Sequence, residues 1–157
     1  MHRPTVARRL AASSLLLLAL AGCGLVGGAG HHEYGVQEHS IRVRAGAKFT
    51  LSVPADPALG EHWYLADPRP STRVLRYRGK REDAHGSPKG VEGGGKGTEY
   101  FDFTARKKGT TTVKLLHCPM ARCSSAAQAA ASASPVPTAT GTPDGNAAYF
   151  LYTVRVR

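Results

Sequence analysis

Residues 101–115, FDFTARKKGTTTVKL, decide how the chain folds. Phe101, Phe103 and Ala105 alternate with Asp102 and Thr104. After Gly109, Thr111, Val113 and Leu115 alternate with Thr112 and Lys114. A period of two places successive side chains on opposite faces, so each run reads as a strand with one buried face. The same pattern spreads in both directions. Upstream, Ile41 and Val43 alternate with arginines, and Phe49, Leu51 and Val53 alternate with Thr50 and Ser52. Trp63 and Leu65 flank Tyr64, and Val74-Leu75 opens a basic stretch ending near Arg78. Downstream, Phe150, Tyr152, Val154 and Val156 alternate to the last residue. No segment after residue 40 has a convincing amphipathic helical period, so the expectation is an all-β antiparallel sandwich of about seven strands.

Composition bounds the rest. At 157 residues the chain has room for one domain. Aromatic residues are 7% of the chain, enough for a small core but not one running its full length. A multi-domain enzyme is excluded by length, and a polytopic membrane protein by the presence of a single apolar run. Two inserts are expected to interrupt the sandwich. Residues 79–98 are polar and Gly-rich and read as a long loop. Residues 124–148 are Ala/Ser/Thr/Pro-rich, and low apolar content leaves such a run too little to bury, with at most a helical turn near 125–131. The strand after this insert can still return to the sheet, because closure entropy grows only with the logarithm of length.

The N-terminus reads as an address. Arg3, Arg8 and Arg9 precede an apolar Ala/Leu/Ser run over 10–21. That run is too short to span a bilayer but fits a secretory signal. It ends in Leu20-Ala21-Gly22-Cys23, which resembles the lipobox of bacterial lipoproteins and implies lipid attachment at Cys23. The expected layout is a signal peptide over 1–22, a flexible Gly-rich tether over 23–39, and the sandwich over 40–157. The resemblance places the protein on the extracytoplasmic face of the cell membrane. Two acyl chains hold where one would bind only marginally. The formal charge is +10, and removal of Arg3, Arg8 and Arg9 leaves +7. The basic residues are scattered along the sequence, so the charge reads as a background attraction to anionic surfaces and not as a site. An exported chain without a stacking platform is not expected to bind nucleic acid. With Cys23 assigned to lipid, Cys118 and Cys123 remain as a pair, and an oxidising compartment favours a disulfide between them.

The connections between strands carry the functional signal. Asp56-Pro57-Ala58-Leu59-Gly60 lies between two strands, with Trp63 three residues past the glycine. Gly93-Gly94-Gly95-Lys96-Gly97-Thr98-Glu99-Tyr100-Phe101 precedes another strand, and Gly109-Thr110 opens the one that leads to Cys118-Pro119-Met120. This succession resembles the chagasin-like inhibitors of papain-type cysteine peptidases. Their first loop reads Asn-Pro-Thr-Thr-Gly before a core Trp. Their second is Gly-X-Gly-Gly closely followed by Thr-Glu and an aromatic. Their third is Arg-Pro-Trp/Phe. The resemblance implies an immunoglobulin-like sandwich with three binding loops at one end, a papain-like peptidase as partner, and no cofactor.

It assigns the peptidase-binding role to Asp56, Pro57, Ala58, Leu59, Gly60, Gly93, Gly94, Gly95, Pro119 and Met120. The departures are specific. Asp56 stands where the family has Asn, Ala58 and Leu59 replace hydroxyls, and Met120 stands roughly where an aromatic anchor belongs. A carboxylate near a catalytic thiolate is repelled and costly to desolvate, while Leu59 and Met120 offer apolar contact. The alternative reading is a non-inhibitory envelope module on the same fold.

Other chemistries are weaker. Gly90 to Lys96 fits half of a phosphate-binding loop, but Gly97 follows where Ser or Thr is needed, and a strand follows where a helix is needed. Neither a Gly-X-Ser-X-Gly elbow nor a His-Glu-X-X-His pair occurs, so no catalytic residue is assigned. Two groups have metal-ligand character: His31, His32, Glu33 and His39, and His117, Cys118, Met120 and Cys123. Solvated histidines in the first group and a disulfide in the second would leave neither available, and no metal is assigned.

Overall fold

The computed structural model describes residues 31–83, 97–120, 122–133 and 145–157. The strands are β1 (His32–Tyr34), β2 (Ser40–Val43), β3 (Lys48–Ala55), β4 (His62–Leu65), β5 (Leu75–Asp83), β6 (Gly97–Ala105), β7 (Gly109–Cys118) and β8 (Ala148–Val156). A single 3-10 turn covers Pro57–Leu59, and one helix, α1, covers Ala126–Ser132. The strands form two four-stranded sheets, β1-β3-β6-β5 and β2-β8-β7-β4. This is the all-β sandwich that the alternation predicts, of the immunoglobulin-like kind that the resemblance implies, except that two of its pairings, β1 with β3 and β2 with β8, are parallel and not antiparallel.

The alternation places the core. Along β6, inward and outward residues interleave without a break, and Phe101 and Phe103 are each 1% exposed. Ile41, Phe49, Leu51, Val53, Trp63, Leu115, Tyr152 and Val154 fill the space between the sheets from the facing strands. Phe49 and Phe103 stack with centroids 5.4 Å apart, and Trp63 meets Phe150 edge-on at 4.9 Å. The Trp63 indole Nε1 donates to Pro54 O at 2.8 Å, so its one polar atom is satisfied.

Seven of the eight strands fall where the period-two runs stand. The eighth corrects the tether expected over 23–39. Residues 32–34 form β1, which pairs in parallel with β3, setting His32 opposite Phe49 and Tyr34 opposite Leu51. β2 likewise joins β8 in parallel. β1 is three residues long, with His32 and Glu33 exposed and Tyr34 partly buried, so it carries no usable alternation. It is held by tertiary contacts. Tyr34 packs edge-on against Phe49 with ring centroids 5.9 Å apart, His31 Nε2 bonds Thr50 Oγ1 at 2.8 Å, and Tyr152 Oη donates to Val36 O. Cys23 and the signal segment lie outside the described residues.

The start of the 124–148 insert also departs from a purely unstructured reading. α1 is capped by Ser125, whose side chain accepts from Gln128 N, and it buries Ala129 against Leu116, Cys118 and Cys123 on the outer face of β7. β5 and β6 reach further into the polar insert than their apolar runs do, ending at Asp83 and beginning at Gly97.

A chain that begins at residue 40 removes β1 and strips the edge of Phe49 and Leu51. Losing a partly buried Tyr and a short ladder costs about 2 kcal/mol. In a domain of this size that lowers Tm by about 4–8 °C. Thermal unfolding of chains starting at residues 24 and 40 measures the difference.

Candidate functional site

Strand register brings three connections to one end. Ala55 pairs with Gly97, Asp83 with Thr98, His62 with Cys118, and His117 with Ala148. The 56–61 connection, the β5–β6 connection and the segment from Pro119 to α1 therefore leave the same pole of the sandwich. Gly93, Gly94 and Gly95 lie outside the described residues, but both roots of their loop are fixed. At one root a Cβ on Gly97 would come within 3.0 Å of Asp83 O and 3.2 Å of Ala55 O, so three strand ends close together only around a glycine.

The first loop is organised by its own backbone. Pro57 starts the 3-10 turn with φ already set. Gly60 ends it at φ 76°, in the left-handed region, and its N–H reaches Pro57 O. The Asp56 carboxylate accepts from Leu59 N at 3.3 Å. The carboxylate at this position is thus engaged in capping its own turn. Glu61 then ties the loop down. Its Oε2 accepts from Asp56 N at 2.9 Å, and its Oε1 accepts from His117 Nε2 at 2.8 Å. His117 is 1% exposed, its ring lies 4.6 Å from that of Trp63, and donation from Nε2 leaves Nδ1 buried without a partner. Ala58 and Leu59 project outward at the tip.

Beneath the loops lies Glu99, a fully buried carboxylate. It accepts from Trp63 N at 2.8 Å, from His62 Nδ1 at 3.2 Å and from Lys80 Nζ at 3.0 Å. Lys80 also bonds Glu82 at 3.1 Å. Burial works against the Lys80 ammonium, but Glu99 and then Glu82 outweigh it and raise its pKa above the ordinary lysine value. His62, Glu82 and Glu99 place possible ligand atoms within 4.8 Å of one another. The Lys80 ammonium already sits against both carboxylates, so the group reads as an internal ion-pair network. Glu61, Lys80 and the burial of Glu99 have no mark in the sequence beyond the Thr98-Glu99 step of the loop motif. Only the register brings 61 to 117 and 80 to 99.

The third loop is closed by a disulfide between Cys118 and Cys123, with Cα atoms 6.1 Å apart. This consumes both thiols of the second expected metal group. The first group is dispersed: His31 bonds Thr50 on one sheet, and His39 Nδ1 bonds Leu151 O on the other. Pro119 is buried, so it shapes the loop and offers no contact surface, whereas Met120 is 53% exposed. Leu59 at 46% and Met120 are the large apolar side chains that stand exposed among the described residues, and both are at this pole.

Residues 42–118 match the model of the chagasin family peptidase inhibitors, I42. That segment holds β3 through β7, half of β2, and the first two loops. The matched family is the one that the loop motifs resemble. Among solved structures, the crystal structure of the cysteine protease inhibitor EhICP2 from Entamoeba histolytica superposes with a TM-score of 0.51 at 16% identity, covering 80% of this chain and 95% of that one. The solution structure of Amebosin gives 0.51 at 15% identity, covering 82% and 99%. At these identities they establish a shared fold. No curated protein sequence matches the chain.

Removing a partner from a buried ion pair leaves an uncompensated charge or empty donors. Glu99→Ala is expected to cost about 3–5 kcal/mol. Glu82→Ala, at the exposed side of the same network, is expected to cost under about 1 kcal/mol. Urea unfolding of the two variants checks the ratio.

Proposed function

We propose that this chagasin-like chain is a reversible, non-covalent inhibitor of papain-like cysteine peptidases, displayed outside the cytoplasmic membrane from a lipid on Cys23. The loops at 56–60, 93–97 and 118–123 fill the cleft of the peptidase. The observation that carries the reading is the placing of Leu59 and Met120. Two large apolar side chains project from two separately braced loops at one pole of the domain. Such contacts suit the apolar centre of an interface, where a few buried side chains supply most of the binding energy.

The mechanism is occlusion. The Pro57–Leu59 turn is compact and capped, not an extended strand, so it does not present a peptide bond to the catalytic thiol as a substrate would. Capping by Asp56, the Glu61 clamp and the Cys118–Cys123 bridge order the loops before encounter. Binding then loses less conformational entropy. With its carboxylate turned to Leu59 N, Asp56 meets the thiolate less directly than its residue type predicts. The membrane placement fits the topology. β1 runs parallel to β3 with His32 beside Phe49, so the chain enters at the pole away from the loops. The eight steps from Cys23 to His31 span at most about 30 Å.

A chain starting at residue 24, which keeps every described element and forms its disulfide in oxidising buffer, is expected to inhibit papain in a dose-dependent way. Leu59→Asp should raise Ki by at least about thirtyfold, the size of one interface hot spot. Met120→Ala should raise it less. Both should leave Tm within about 2 °C, because exposed positions contribute little to stability. A folded, disulfide-bonded chain with no inhibition at high micromolar concentration overturns the reading in favour of a non-inhibitory binding module.

A further inference from the structure

We propose that the pole opposite the loops is a docking surface for an anionic lipid bilayer. Seven of the cations that are scattered along the sequence are gathered here by the fold. Three connections meet at this end: residues 44–47 between β2 and β3, 66–74 between β4 and β5, and 106–108 between β6 and β7. Arg157 follows the end of β8 beside them. Together they carry seven cationic side chains and one acid, Asp67, which is itself engaged by Arg69 at 3.3 Å. Arg44, Arg73, Arg106, Lys107, Lys108 and Arg157 are all exposed. The loop pole is mixed in charge: Asp56, Glu61, Glu82, Asp83 and Glu99 lie there together with Lys80, Arg81 and Arg122.

The basic pole is one built surface. Ala45 N donates to Arg157 O at 3.0 Å, Gly46 N to Ala105 O at 2.9 Å and Arg106 N to Val74 O at 2.8 Å. The Arg106 guanidinium donates to Thr72 O at 3.0 Å, and Ser71 N donates to Thr111 Oγ1 at 2.8 Å. These bonds lace all three connections and the C-terminal strand into a single face. Beside it lies a hollow with the half-buried Tyr77 over the buried Leu65 and Leu75 in its lining, and Arg69, Arg76 and Arg106 around them. Apolar surface next to cations suits an amphiphile better than a nucleic acid, whose bases need exposed aromatic platforms. The choice of a bilayer rests on the proposed Cys23 anchor: with the chain entering at this same pole, a membrane is the surface that it meets.

The contact would hold the cations within the screening length, about 8 Å at physiological salt. It would also turn the loop-bearing pole outward, because the loops leave the opposite end of the same strands. A tether alone leaves that orientation free.

The test uses the unlipidated chain from residue 24, so that adsorption is read without an anchor. It is expected to cosediment with vesicles of about 30% phosphatidylglycerol in phosphatidylcholine at least about tenfold more strongly than with phosphatidylcholine alone. Raising salt from about 0.1 to about 0.5 M should abolish most of the difference. Lys107→Ser/Lys108→Ser should weaken adsorption by about tenfold, and the charge-matched Arg78→Ser/Arg122→Ser pair should weaken it much less. Equal adsorption to both vesicle types, equal losses in the two double variants, or capture by heparin at a salt that releases the vesicles would overturn the proposal. Papain inhibition, read on the same proteins, is expected to be the same in the Lys107→Ser/Lys108→Ser variant, so failure at one pole is distinguishable from failure at the other.

Discussion

The Glu99 carboxylate is the constraint on which the loop pole depends. It stands on β6 in one sheet and accepts the backbone N–H of Trp63 on β4 in the other. Lys80, from β5, and His62 complete its partners. A charge this deep is costly unless its hydrogen bonds are made. Here three donors from two strands, β4 and β5, converge on it. The arrangement fixes where β4 begins relative to β6 and hence where the 56–61 loop springs from. It also fixes the backbone of Trp63, whose ring is wedged between His117 and Phe150. Through His117 the same cluster reaches Glu61 and, from there, the backbone of Asp56. The first loop is thereby wired to the core by polar contacts, and the third loop by a disulfide and a small apolar cluster.

The two poles divide the work by charge as well as by shape. Acidic side chains at the loop end serve inside the structure, capping a turn, clamping a histidine or pairing with Lys80. Cationic side chains at the other end have few such partners and face outward. A formal charge of +10 says nothing about this segregation. It arises because antiparallel strands return every second connection to the same pole, and seven of the basic residues fall in those connections or at Arg157.

Strands with strict alternation were legible in the sequence because burial on one face imposes a period of two, as the pattern of β6 shows. β1 was not legible. Three residues cannot display a period, and what places them is Tyr34 against Phe49, a contact made across the fold. α1 was legible only as a helical turn. Its alanines have high helix propensity but no apolar stripe, and it is the cap at Ser125 and the seat for Ala129 that anchor it. At the loop pole, Leu59 and Met120 were found from motif position, while Pro119 in the same motif is buried and supports the loop from within. The Glu61–His117 clamp could not be read, because a partner 56 residues away is chosen by register and not by any local pattern.

This contrast explains why the loop motifs carry the fold further than they carry a target. The residues that agree with the family pattern, Glu99, Trp63 and Gly60, are those whose change would disturb buried bonds or a left-handed turn. The residues that depart from it, Ala58, Leu59 and Met120, point into solvent, and Asp56 is accommodated by bonding to its own turn. Fold-bearing positions answer to packing, which is the same in every copy of the sandwich. Outward positions answer only to whatever surface they meet. Replacing hydroxyls and an aromatic by Leu59 and Met120 exchanges directional contacts for adaptable apolar ones. Under the proposed inhibitory role, a cleft that accommodates flexible aliphatic side chains therefore fits this chain better than one built to hydrogen-bond a loop tip.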